Sequence, residues 1–425
     1  MSPPDSSSSP SILSPRLPFD VLHYVSAEAA GDAVEPEERA VARTVSLVCR
    51  DLRDVGQGIL WRTLTLPSRR IENLLDRQEA RRLWTKVKVL RWKEDIADWR
   101  RDEPTFAQVV EAFKRLLEEA EQLKAVDLNE APLEFLAEIL SSISSSPSRT
   151  SISSFSIAGP TTVRHPVSSR LDEQDLVRFL GTLPALSSFT SRLSNLSTSS
   201  PTPSDTRLPI LPLRCVMLNT SGADGVDDTL TPSTPYYALA SSLSISTLVD
   251  VRISRSTGED GWVRWLSQPG FVSLQSLAFH IVRRLGIVDS LPVLSSCLSF
   301  HPTLRRLAVH HNGFSDLSPR DAHRAYNLPV FRTFLFSLPA TLESLSFDFE
   351  CPTDAFLDEY LQNGPTSNLW RFECMVSLCE QLRLVWNSET EGFDETCEEI
   401  PIWKSAWGPK EGLPLTPGAS DSEFE

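Results

Sequence analysis

The residues most able to do chemistry are thinly spread. Seven cysteines stand at positions 49, 215, 297, 351, 374, 379 and 397. None forms a CxxC pair, the spacing that zinc sites and dithiol redox centres use. Cys215 and Cys297 sit among apolar residues, where a free thiol behaves as a small hydrophobe. The adjacent imidazoles of His310 and His311 could be a ligand pair. With no nearby cysteine and no second histidine at a repeating interval, they read as a solvated strand end. Gly56-Gln57-Gly58 lacks a third glycine and falls within a helical pattern, so it reads as local packing. GxxxxGK[ST], HExxH and GxSxG are all missing from the sequence. Serine is abundant, but a serine nucleophile needs a base and an orienting group that no motif here supplies. The expectation is a chain without catalytic, metal-binding or cofactor-binding residues that acts by binding.

Charge narrows what could be bound. Of 425 residues, 41 are Lys or Arg and 56 are Asp or Glu, giving a net charge of −15. A phosphate backbone needs a basic face, so nucleic acid is not the expected partner. One basic stretch interrupts the acidic background, with Arg62, Arg69, Arg70, Arg81, Arg82, Lys86, Lys88 and Arg91. It reads as a solvated face at a domain junction, with a docking patch for an acidic partner surface as the alternative. The opening MSPPDSSSSP has neither a basic nor an apolar signal region, and no apolar run approaches a membrane span. These features, with thiols that form no evident disulfide framework, lead us to expect an intracellular protein of the cytoplasm or nucleus, with no membrane partner.

Residues 1–15 are a Ser/Pro-rich leader, expected to be disordered. A helical module follows over 16–70. Leu17-Pro18 opens a first helix carrying Val21, Leu22 and Val25; Val41, Thr44, Val45 and Val48 stripe a second; Leu52, Val55, Ile59 and Leu60 stripe a third. Trp61 to Leu66 alternates as an extended segment and stops at Pro67.

Beyond it a phrase recurs: apolar, two residues, apolar, one residue, apolar. Its copies are Val87-Leu90-Trp92, Leu123-Val126-Leu128, Ile152-Phe155-Ile157, Leu186-Phe189-Ser191, Leu213-Val216-Leu218, Leu248-Val251-Ile253, Leu274-Leu277-Phe279, Leu304-Leu307-Val309 and Leu342-Leu345-Phe347. The fourth is a weak copy, and Cys379-Leu382-Leu384 is an imperfect last one. Several intervening segments carry helical stripes: Phe106, Val109, Val110, Phe113, Leu116 and Leu117; Leu133, Leu136, Ala137 and Leu140; Leu176, Val177 and Leu180 behind Asp172 as N-cap; Phe356, Leu357, Tyr360 and Leu361. One strand and one helix cannot bury their apolar faces alone, so such units must stack. The fold class expected is α/β: a short three-helix module, then an irregular leucine-rich-repeat solenoid of helix–turn–strand units over 80–386, then an acidic, partly disordered tail over 387–425.

The head resembles the F-box family, especially its fungal members. The resemblance rests on Leu17-Pro18-Phe19-Asp20-Val21-Leu22, Ser46-Leu47-Val48-Cys49-Arg50-Asp51-Leu52-Arg53 and Leu60-Trp61-Arg62-Thr63-Leu64, in that order within about fifty residues. Asp20 stands where the family usually has Glu, Leu52 where an aromatic residue is common, and the 31–38 loop is longer than usual. The resemblance implies docking on a Skp-type adaptor that joins a cullin–RING ubiquitin ligase. Leu17, Pro18, Val21, Leu22, Leu47 and Val48 would be the adaptor contacts, and Cys49 would pack between helices. The rest of the chain would hold a protein substrate. Among residues between strand anchors, Arg305 and Arg306 form the most prominent basic pair and are the candidate substrate contacts, suited to carboxylate or phosphate. The alternatives are a leucine-rich-repeat scaffold without ligase association and an enzyme of unrecognised type.

Overall fold

Each phrase sets its first apolar residue on a turn and its other two on a strand. In the computed structural model thirteen strands follow: β1 (Thr63–Leu66), β2 (Val89–Trp92), β3 (Ala125–Asn129), β4 (Ser154–Ala158), β5 (Ser188–Arg192), β6 (Cys215–Asn219), β7 (Asp250–Ser254), β8 (Ser276–Ile281), β9 (Arg306–His311), β10 (Ser344–Glu350), β11 (Arg371–Ser377), β12 (Glu380–Asn387) and β13 (Gly392–Glu399). Besides single positions at 44, 56 and 196, the structure describes residues 60–66, 84–92, 104–129, 133–158, 171–193, 208–219, 236–254, 259–281, 287–311, 328–350, 368–377, 380–387 and 392–399. Of the three expected head helices only Thr44, Gly56 and Leu60 are described, each as helical; Leu17, Pro18, Val21, Leu22, Leu47 and Val48 lie outside the described residues, as does the stripe beginning at Phe356.

The strands form one sheet in strict sequence order. From β1 to β11 every pairing is parallel. Helices fill the connections: α1 (Pro104–Glu119), α2 (Leu133–Ser145), α3 (Glu173–Gly181), α4 (Tyr237–Ser242), α5 (Glu259–Leu266), α6 (Ile287–Leu298) and α7 (Leu328–Phe336). Strands stand about 4.8 Å apart whereas a helix is about 10 Å across. A layer of helices backing adjacent strands is therefore wider than the sheet it covers, and the sheet curves with its strands inside. This is the solenoid that the repeated phrase predicts.

Two sets of contacts hold the rungs in register. The first is apolar. Leu64, Leu90, Val126, Phe155, Phe189, Val216, Val251, Leu277, Leu307, Leu345 and Phe372 stack in one column, and all are buried. The second is a line of carbonyls just before the strands. The carbonyls of Arg62, Lys88, Lys124, Ser153, Ser187, Arg214, Val249, Gln275, Arg305 and Glu343 each accept from two consecutive N–H groups of the next rung. The nearer donors lie at 2.7–3.0 Å and the farther at 2.9–3.3 Å. Hydroxyls add a parallel set: Ser151 donates to the Leu123 carbonyl, Thr247 to Leu213, Thr303 to Leu274 and Thr341 to Leu304, at 2.7–2.8 Å.

The helical layer changes character beside β5 and β6. The described part of that connection, 208–214, is irregular, and Leu211 exchanges backbone hydrogen bonds with Ser242 and Ser244 in an isolated bridge. Pro209 lies so close to Gly181 that a Cβ there would come within 2.6 Å of its ring. Across this break α3 meets α4 directly. Glu173 at the start of α3 is buried and its carboxylate accepts from Leu239 N–H at 2.9 Å, with the amides of Ala238 and Tyr236 also directed at it. Burial lifts its carboxyl to about 7 against those amides, which favour the charged form. Tyr236, the N-cap of α4, adopts a left-handed φ of 65°, and its hydroxyl donates to the Leu193 carbonyl and pairs with Ser191 Oγ at 2.7 Å. The weak fourth phrase is thereby explained: Ser191 takes an apolar position because a buried phenol needs a partner there.

Four sequence expectations change. Trp61 to Leu66, read as an extended segment within the head module, is a strand at Thr63–Leu66 as its alternation predicts, but that strand is β1 of the sheet. Cys379-Leu382-Leu384 is not a repeat: β12 runs antiparallel to β11, and the tenth copy is Leu369-Phe372-Cys374. An apolar spacing of three and two reports a strand with a buried face but not its direction. The acidic segment after 387 contains β13, antiparallel to β12, whose carboxylates suit a sheet edge. On α2 the buried stripe is Leu136, Ile139, Leu140 and Ile143, with Ala137 exposed. Asp172 does cap α3, accepting from Gln174 N–H at 2.7 Å.

Leu307→Ala is expected to lower stability by ~2–5 kcal/mol, against about 1 kcal/mol for Thr341→Val, by urea denaturation. A carboxyl lifted to about 7 on folding stabilises the native state below its unfolded value, and that contribution fades as pH rises through 7. Glu173→Gln keeps an acceptor but does not titrate. Relative to this variant, the natural chain should lose ~3 kcal/mol between pH 4 and 8, read as a difference in denaturation midpoints.

Candidate functional site

Among the described residues the helices pack against the face of the sheet that carries the apolar anchors; the opposite face is the one the strands could offer a partner. Alternation sends the residues between core anchors there. In one column this face carries Ser188, Cys215, Asp250, Ser276, Arg306, Ser344 and Arg371 in register. The next column carries Met217, Arg252, Ala278, Ala308, Ser346 and Glu373.

The centre of the face is charged and buried. Asp250 and Arg252, two residues apart on β7, form an ion pair at 3.3 Å with both side chains almost inaccessible, at 4% and 6%. The Arg252 Nε also donates to the carboxylate, at 3.4 Å. Burial pushes the Asp250 carboxyl upward, opposed by Arg252, by Ser276 and by the Arg306 guanidinium. Cys215, one strand away, is a free thiol raised by burial and by Asp250, the reverse of nucleophile activation.

Arg305 and Arg306 part company. Arg306 opens β9, is half-buried and takes its place in the charged column near Asp250. Arg305 lies one residue before the strand, exposed, and pairs with Glu343 at 3.1 Å. Only Arg306 therefore belongs to the face. Ser276 and Ser344, which alternation alone would leave open, are 6% and 2% exposed. Each is a short side chain set between longer ones in register, Asp250 and Arg306 for the first, Arg306 and Arg371 for the second. The burial of Asp250 and Arg252 was missed from sequence; its one visible signal was an acid and a base two apart on a strand.

Behind the sheet, Cys297 and His301 lie 3.8 Å apart. Burial raises the thiol to about 11 and lowers the imidazole. A thiolate–imidazolium pair needs the opposite shifts. The His301 ring instead continues a run of edge-to-face contacts through Phe271, Trp265 and Trp262, and serves as core. His280 and His310 are neighbours in register across β8 and β9. Among the described residues no three of His, Cys, Asp and Glu are grouped to hold a metal ion, and no helix is long and apolar enough to cross a membrane.

Asp250→Ala leaves Arg252 buried without its carboxylate and should cost ~3–5 kcal/mol, most of it regained when Arg252→Met is added. A double-mutant cycle in urea tests this. No protein-family model and no curated protein matches this chain. Among solved structures it is similar to a chain in the crystal structure of a TLR13–ssRNA13 complex, at 13% identity and a TM-score of 0.32, over 68% of this chain and 36% of that one. The present chain thus spans about a third of that protein.

Proposed function

We propose that this protein is an interaction adaptor: its F-box-like head docks on a Skp-type adaptor of a cullin–RING ubiquitin ligase, and its solenoid holds a protein substrate. The observation that carries this reading is the junction. The F-box-like motif ends on Leu60-Trp61-Arg62-Thr63-Leu64, and Thr63–Leu66 is already the first strand of the sheet. A head ending there has no linker between it and the first rung. An adaptor that works by proximity gains from such a joint, because a fixed geometry keeps the substrate within reach of the transferring enzyme. The sheet face opposite the apolar anchors is the substrate surface, with Arg306 among its cations and Arg305 at its edge.

Leu17→Ala with Pro18→Ala in the full chain should abolish capture of a purified Skp-type adaptor without altering the melting temperature. Undiminished capture would reject the adaptor assignment, and absence of capture by the natural chain would leave a scaffold without ligase association. In the same preparations Arg306→Ala should reduce the co-purifying substrate more than Arg305→Ala does.

A further inference from the structure

The sequence of α4 supports it poorly. The helix has six residues, too few to persist by themselves. Its N-cap, Tyr236, holds a left-handed φ of 65°, which a residue other than glycine seldom adopts. Three attachments keep α4 in place. Leu211 exchanges backbone bonds with Ser242 and Ser244, the Tyr236 hydroxyl bonds Ser191 and the Leu193 carbonyl, and the Glu173 carboxylate of α3 accepts from Leu239 N–H at 2.9 Å.

The first two attachments join neutral groups. The third uses a carboxylate that is 2% exposed, and among the described residues no cation forms an ion pair with it. From α4 it faces the Tyr236 phenol, which burial keeps neutral. On its own helix the nearby Asp172 adds a second negative charge, while Asp175 and Arg178 are exposed and paired with each other. On α2, packed against α3, Glu138 is exposed and paired with Lys114. Burial holds the Glu173 carboxyl at about 7 against the amides of α4, so its proton comes and goes close to neutrality. Protonated, it sits in the joint at little cost. Ionised, it gains from the amides but would gain more from water, and water reaches it when α4 and α3 separate.

We propose that the α3–α4 joint is a proton-controlled latch in the middle of the solenoid: loss of the Glu173 proton raises the frequency with which α4 comes away from α3, and the rungs from β4 to β7 then cease to act as one block. Burial of Tyr236, Leu239 and Ala240 keeps the latch closed most of the time in either protonation state. The sign follows from linkage. A group that holds its proton more tightly in the closed form than in the open one favours closure at low pH, and that preference fades as pH rises through its closed-form value. The latch belongs to the solenoid itself and does not depend on ligase association.

Hydrogen exchange read by mass spectrometry on the full chain tests it. Peptides covering 236–243 report α4 and those covering 306–311 report β9, with rates corrected for the intrinsic acceleration of amide exchange with pH. Between pH 6 and 8 exchange over 236–243 should quicken about tenfold, half-maximal at about 7, and exchange over 306–311 by less than about twofold. Glu173→Gln, which keeps an acceptor and does not titrate, should flatten the profile of 236–243. A flat profile in the natural chain, an equal rise in both segments, or a rise that survives Glu173→Gln overturns the latch. Should melting curves show that this variant does not fold, Asp172→Asn keeps the cap of α3, removes the neighbouring charge and should move the half-maximal point to lower pH; an unmoved point overturns the latch equally.

Discussion

One carbonyl per rung sets the step of the whole molecule. It stands at the turn just before the strand, and its two lone pairs take both N–H groups that open the next rung. Because both donors belong to one strand, the next rung can neither slide by a residue nor rotate its apolar anchors away from the helices. The stacked leucines, the sheet order and the direction of the face opposite them all inherit this registration. The hydroxyls of Ser151, Thr247, Thr303 and Thr341 repeat the link one position away, at turns where a side chain must replace backbone hydrogen bonding.

Much of this was legible in the amino-acid sequence because the phrase that builds a rung is short and local. Leu304-Leu307-Val309 contains the turn, the strand and its buried face, and the structure has all three residues in the core. Asp172 was legible as an N-cap for the same reason. Direction and partnership were not. Leu382 and Leu384 have the spacing of strand anchors whichever way the strand runs, and only pairing with β11 reveals that β12 is reversed. Glu173 follows the N-cap and carries no signal of burial along the sequence; its acceptor role depends on Leu239, sixty-six residues later. The six head residues that the F-box resemblance singles out lie outside the described part of the chain.

Charge in this protein is placed by register rather than by sequence distance. Arg305 and Arg306 are neighbours in the chain, yet one meets Glu343 at an exposed edge and the other enters the column of Asp250. Arg62, Lys88 and Lys124 are far apart in the chain and come to lie side by side. A basic motif read along the sequence is therefore a poor guide to a basic surface, and a column read across the strands is a better one.

Uniform links between rungs also bear on how such a chain could lengthen or shorten over evolutionary time. Where each rung touches only its neighbours, a whole unit can be duplicated or deleted and the links on either side close again, since every carbonyl offers the same two acceptor sites. The contact of Glu173 with the start of α4, and of Tyr236 with Ser191, skips a connection and ties the rungs from β4 to β7 into one block. A unit copied into the middle of that block would separate carboxylate from amide and phenol from hydroxyl, stranding buried polar groups. Gain and loss of units is thus confined to either side of the block, and the middle of the solenoid is its indivisible part.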